Sequence, residues 1–515
     1  MVGRELEPEE VIATDINNKV TAFEGEYLGI SKGSPTEVWL AKSCEHVLAY
    51  QEEVYGWQHP VAFVSWPTLD VMEHDAEWNE AGDKQLEYND RVSIDIRHFF
   101  MGEKMKAGFF GAYHIYPNYP DFMNNTLDYA EYTDDEGMFR YGGYLRQFMD
   151  HHRGYPALVA EFGLATGMGN AHENPDGYHH GGMTEEEQGY GLVRMMEAIH
   201  REGYAGGVVF EWMDEWAKKT WTTEAFMVPY EHNVFWHNAI DPEQNYGIVA
   251  MEGIRPEKPQ AVLQGNGTLQ RLELSGNESY LFLSFYTDVK LDLEKNPLLV
   301  GLDTYDAKKG VHQYRENINV SAPTGMEFLL TLSGKEGRLE VIPEYNIDRY
   351  SFASVAKSQG AFETMNPIIN KQRVTKDGRI IDEIREEASL LRQGSWLGHP
   401  NHWYQEENVI YLRIPWGRLN VTDPTTYQVL DDPRKFFDYP LRDTLKTTVT
   451  EGFRVTTLLL NEADDVIDTL PDTFDVEPEP FKWESWSEPR YQKRLKESYY
   501  ILQNYFENLL RSREE

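Results

Sequence analysis

The residues able to do chemistry stand at the ends of short apolar runs. In YPALVAEFG, residues 155–163, Pro156 to Ala160 suit a strand buried on both faces. Glu161 follows directly, ahead of the turn-former Gly163. A carboxylate beside so apolar a run costs free energy unless it is paired or put to use. Three further runs end in the same way. HPVAFVSWP ends in Ser65-Trp66-Pro67, GFFGAYHIYP in His114-Ile115-Tyr116-Pro117, and GGVVFEW in Glu211-Trp212, continuing to Asp214, Glu215 and Trp216. Carboxylate, imidazole, phenol and indole at one rim suit sugar chemistry, with carboxyls as acid and nucleophile and Trp faces stacking on a pyranose. Taken singly, each has a plain structural role: His114 could satisfy a core, Trp212 fill one, Glu161 pair with a buried Arg. Standing together at successive strand ends, they favour a shared site.

Helices must separate these strands. Ser34 and Glu37 form a capping box, Pro35 takes the first helical position and Gly56 follows as a stop, which predicts a helix over 35–55. Further helices are expected over 96–106, over 138–152, and after Thr184, where Thr184 and Glu187 repeat the capping box and Gly203 ends the element. Alternation of helix and apolar strand argues a parallel sheet wrapped by helices. Ligands gather at the carboxyl ends of such sheets, and here long Gly-rich loops follow those ends.

Composition narrows the class. The chain has 515 residues, enough for two or three domains, with 13 Trp and 31 Tyr. A net charge of −38 disfavours nucleic acid, whose binding needs clustered Lys and Arg. No run of about 18 uncharged apolar residues predicts a membrane span. The opening MVGRELEPEE lacks the regions of a signal peptide. A single cysteine, Cys44, excludes an internal disulfide and reads as a core residue. Compartment stays open, with an extracytoplasmic or membrane-associated location suspected for a longer product.

These strand ends resemble the second half of a clan-A glycoside hydrolase (β/α)8 barrel over roughly residues 1–250. The clan's retaining nucleophile is a Glu at the end of strand seven, in a context similar to Pro156…Glu161-Phe162-Gly163. The resemblance implies that Tyr116 of His114-Ile115-Tyr116 hydrogen-bonds that nucleophile and keeps it ionised, and that Trp212 floors the sugar subsite. Trp66, His114 and Asp214 join Tyr116 and Trp212 as expected substrate contacts. SWPTLD and AEFG are also similar to segments of an uncharacterised bacterial group, some of whose barrels accompany a family-two glycosyltransferase. The clan's acid/base ends strand four, usually as Asn-Glu. One βα unit before the first strand lies the start of this chain, so Glu5 is the expected acid/base and Glu7 the alternative. Asn79-Glu80 copies the dipeptide at the wrong position. Four units and a stub are half a barrel, which implies a longer gene product or a partner that completes it.

Residues 164–183 hold His172, His179, His180, Glu173 and Asp176. Their spacing fits no metal signature, so a lid over the cleft is preferred and neither metal nor cofactor is expected. After about residue 262 the period becomes two, from GTLQRLELSGNESYLFLSF to VIYLRIPWGRLNVTDP, which predicts an antiparallel sandwich. These segments resemble carbohydrate- and haem-binding modules of the family-nine and DOMON type. Asp303 and Asp306 there read as solvated turn acids rather than calcium ligands. Tyr491, Leu495, Tyr499, Leu502, Phe506 and Leu509 make the stripe of one terminal amphipathic helix.

The expected fold is therefore α/β, a partial TIM barrel of roughly strands four to eight over 1–262. An all-β sandwich over 263–450 and a tail with a C-terminal helix over 451–515 follow. The expected function is retaining hydrolysis or transglycosylation of a β-linked polysaccharide or oligosaccharide. The alternative is a non-catalytic glycan-binding scaffold beside a polysaccharide-synthesising glycosyltransferase.

Overall fold

The computed structural model describes residues 1–79, 81, 84–85, 89–152, 154–348, 361–431 and 446–511; Glu80 of the Asn-Glu decoy lies outside them. The protein is mixed α/β, with many antiparallel sheets and one parallel sheet that positions the candidate site. The parallel strands are Val61–Ser65, Phe109–His114, Ala157–Phe162 and Gly207–Val209, adjacent in that order. The N-terminus runs beside them. Val2 N–H donates to the Ala62 carbonyl (2.7 Å) and Val64 N–H to the Val2 carbonyl (2.9 Å), a parallel bridge that brings Glu5 to the rim. Among the described residues the sheet does not close into a barrel.

The helices form where capping and periodicity require. Pro35–Tyr55 opens on a reciprocal pair, Glu37 N–H to Ser34 Oγ (3.2 Å) and Ser34 N–H to Glu37 Oε2 (2.8 Å), and buries Leu40, Ala41, Cys44 and Leu48. Burial pushes the Cys44 thiol up to about 12, so it is inert packing. Arg140–His151 and Glu185–Arg201 complete the layer. The helix expected over 96–106 is absent. Its place is taken by one 3-10 turn, Ile96–His98, and a short strand, Phe99–Met101, paired with Leu28–Ile30. Phe99 stacks on Phe63 and Phe109, and a Cβ on Gly102 would meet the Glu26 carbonyl carbon at 2.6 Å, so core packing and close backbone approach override helical periodicity.

Two five-stranded antiparallel sheets dominate the second half. One orders Ala261–Gln264, Leu269–Gly276, Tyr280–Thr287, Val409–Pro415 and Trp403–Glu406. The other orders Glu336–Val341, Phe328–Ser333, Leu298–Asp303, Arg454–Leu460 and Val466–Leu470. Leu281, Leu283 and Phe285 from the first share one hydrophobic cluster with Leu298, Val300 and Leu330 from the second. Strands at 454–470 complete that sheet, past the residue where the sequence reading begins its tail. Asp303 is buried there, bonded to Thr324 and paired with Arg454.

The chain's end departs from the single expected helix. Tyr491–Leu495 is a strand paired with Val249–Gly253, and the helix runs Glu497–Arg511. Lys496 turns inward to Asp214 at the break. The helix docks on Glu185–Arg201 at Gly189, where a Cβ would come 2.6 Å from Ile501. No described helix is long and apolar enough to cross a membrane.

Candidate active site

A cavity of about 830 Å3 opens at the carboxyl ends of the parallel strands. Glu5, Trp66, His114, Tyr116 and Glu161 line it together. His114 Nδ1 lies 2.9 Å from Glu5 Oε1 and 3.4 Å from Glu161 Oε2. Tyr116 OH donates to Glu161 Oε2 (3.0 Å). Both contacts fall on one carboxylate oxygen, and Glu161 Oε1 accepts no hydrogen bond from the described residues. Of the two N-terminal acids, Glu5 meets His114, while Glu7 lines the cavity and donates its N–H to Glu10 at the start of the helix Pro8–Asn17. Trp66 is held by its indole N–H on the Leu6 carbonyl (2.9 Å) beside Tyr119.

Burial lifts the Glu161 carboxyl above its ordinary range, and outweighs the opposing pull of His114 and the Tyr116 hydrogen bond. The Tyr116 hydrogen bond favours the ionised form and moderates the lift that burial gives without reversing it.

Two expected contacts lie elsewhere. Trp212 is 64% exposed and leans on Tyr499 of the terminal helix, and it does not line the cavity. The strand ends at Val209, so Phe210 is the ring that enters, packed against Tyr116 and Tyr246 with Lys218 Nζ 3.9 Å from its centroid. Asp214 does not line this cleft, its carboxylate being held by Lys496 (2.9 Å), Gly247 N–H (3.0 Å) and Met251 N–H (3.2 Å). A sequence pattern that places Trp at a strand end cannot register where that strand stops pairing.

Residues 164–183 do edge the cavity, through His172 and His180, whose rings lie parallel 5.7 Å apart. Among the described residues these histidines do not cluster at metal-like spacing. His172 faces Asp121 (3.6 Å), His179 faces Glu173 (3.3 Å) and His180 faces Glu243 (3.2 Å). The described group with metal-like spacing is Glu5, His114 and Glu161, whose nearest atoms all lie within 4.8 Å. That donor set could hold a cation as well as share a proton.

Several lining residues carried no sequence signal. Ile369, Lys371 and Arg373 reach the cavity from the second half of the chain, on an arm whose Arg373–Thr375 strand pairs with Ala76–Trp78. Arg373 sits 2.6 Å from Asp121. Nothing local marks such residues, because the arm's approach is a long-range event.

No family model matches this chain, and no curated protein matches it. A solved structure of Bacteroides uniformis beta-glucuronidase 2 covalently bound to cyclophellitol-6-carboxylate aziridine is similar at 12% identity and a TM-score of 0.16. The match covers 54% of this chain and 28% of that one. The chain thus spans well under two thirds of that glycoside hydrolase, and at that score the likeness carries no argument about activity.

Proposed function

We propose that the chain is a retaining glycoside hydrolase or transglycosidase acting on a β-linked glycan, built on a partial (β/α)8 barrel followed by a β-sandwich. The carrying observation is the approach of Glu5 and Glu161, with carboxylate oxygens no more than 4.8 Å apart across one imidazole. Retaining enzymes hold their carboxyls roughly 5–5.5 Å apart, whereas inverting ones leave about 6.5–9.5 Å for a water. In this reading Glu161 Oε1 attacks the anomeric carbon while Glu5 gives its proton to the departing glycosidic oxygen. Water then attacks the glycosyl ester, passes its proton to Glu5 and releases Glu161. Tyr116 and His114 hold Glu161 Oε2 and stabilise its charge when the nucleophile is freed. Trp66 and Phe210 offer faces for the sugar ring.

Glu161→Gln in the full chain should cut turnover of a panel of aryl β-glycosides by roughly 10³-fold or more. A mechanism-based fluorosugar should label Glu161 in the unmodified protein, and a chelator should leave the rate unchanged. Retained activity in the Gln variant, or a label on another residue, would leave the non-catalytic glycan-binding scaffold as the better reading.

A further inference from the structure

A second cavity, of about 360 Å3, lies in the seam between the parallel-sheet half and the first antiparallel sheet. It shares no lining residue with the carboxylate cleft. Strand alternation explains its chemistry. Leu281, Leu283, Ile410, Leu412 and Ile414 face the core, so Phe282 with its cross-strand partner Arg413, and Ser284 with its partner Tyr411, face outward. Tyr404, opposite Tyr411, extends that row.

Two guanidiniums stand over these rings. Arg255 lies 5.0 Å from the Phe282 centroid and 5.5 Å from that of Trp396. Arg413 lies 5.0 Å from Tyr280 and 5.3 Å from Trp396. Of the three carboxylates that line the cavity, Glu185 and Glu252 share Arg494 and Asp214 pairs with Lys496. Arg255 bonds Ser284 Oγ (3.1 Å), and Arg413 donates to the Asn401 and His399 carbonyls (2.8 Å each) and to that of Trp396 (3.3 Å). Neither has a carboxylate partner among the described residues. In a chain of net charge −38 the lining carries four cations against three carboxylates, and the two guanidiniums over the rings are the cations without an ion pair among the described residues.

We propose that this seam cavity is a second glycan site that takes a uronate-bearing oligosaccharide. A guanidinium fork matches a carboxylate in geometry and charge, and the aromatic row suits the apolar face of the pyranose that carries it. Inorganic phosphate shares the charge but has no face for the rings. That the ligand is a saccharide rests on the function proposed above; that it is anionic does not.

The test titrates the full chain carrying Glu161→Gln with tetragalacturonate, tetraglucuronate and tetramannuronate, each beside its carboxyl-reduced counterpart. At least one tetrauronate should bind, and its reduced counterpart should bind roughly tenfold more weakly. Arg255→Gln alters an exposed side chain and is the deciding variant; it should weaken uronate binding about tenfold. Arg413→Gln should do likewise, and in the chain that keeps Glu161 both should leave hydrolysis of small aryl glycosides unchanged. No tetrauronate binding, equal binding of the reduced sugars, insensitivity to Arg255→Gln, or equally tight displacement by inorganic phosphate would overturn the proposal. Failure of the catalytic reading appears separately, as retained turnover in Glu161→Gln, and leaves these titrations intact.

Discussion

Glu161 and Asp214 make an instructive pair. Glu161 stands near the end of one strand of the parallel sheet and Asp214 just beyond another, yet they have different fates. Glu161 faces a cleft, shares His114 with a second carboxylate and keeps one oxygen free of described hydrogen bonds. Asp214 is buried against Lys496 and two backbone N–H groups, which leaves it nothing to offer a substrate. The difference comes from what reaches each strand end. The N-terminal strand stub brings a like charge to Glu161, and the strand–helix at the chain's end brings an ammonium to Asp214. A carboxylate that is close to another and open to a cavity is available to a ligand; one matched by a buried cation holds structure.

Breaking the structural partner should have the largest effect. Lys496→Met strands a buried carboxylate and should cost about 3–5 kcal/mol in chemical denaturation. Adding Asp214→Asn should recover much of that loss. If Lys496→Met leaves stability unchanged, Asp214 is not the structural member of the pair. Next in size, Tyr116→Phe removes one hydrogen bond to a charged oxygen, and should lower kcat roughly 10- to 100-fold with folding intact. That bond also favours the ionised carboxylate, so its loss should move the acid limb of kcat/KM to higher pH.

Glu211 sharpens the comparison as an intermediate case. Its Oε1 is buried without a described hydrogen-bond partner, and burial pushes its carboxyl from 4.5 up to about 8. Between those values the unfolded chain has lost the proton that the folded one retains, so stability falls as pH rises from 4.5 to about 8. Glu211→Gln should flatten that slope and stabilise the protein at pH 8 by roughly 1–2 kcal/mol, less than the full shift because the side chain is part-exposed. A thermal-unfolding series against pH checks it. Trp212→Ala should do least, within about 0.5 kcal/mol and without change in turnover, whereas Phe210→Ala should raise KM. Equal kinetic effects at both positions would return Trp212 to the site.

Local code made much of the parallel half legible. The reciprocal Ser34–Glu37 and Thr184–Glu187 caps start their helices, and the apolar runs before His114 and Glu161 form the buried strands. Phe99–Met101 and Tyr491–Leu495 misled, because each becomes a strand only when a segment far away in the sequence pairs with it. Period two in the second half likewise announced antiparallel sheets, but not that strands near 454–470 belong to them.

By itself, then, the sequence determined which side chains stand at the strand ends, since alternation, capping and turn chemistry act over a few residues. It put Glu161, His114 and Tyr116 at one rim and offered Glu5, with Glu7 as the alternative, as their companion. Only the tertiary structure decided which of those groups stay open and which are neutralised. That outcome depends on Lys496 reaching Asp214, on Phe210 taking the place expected of Trp212, and on Lys371 and Arg373 arriving from the second half. Charge and packing free energies depend on distances between groups far apart in the chain, and no local pattern encodes those distances.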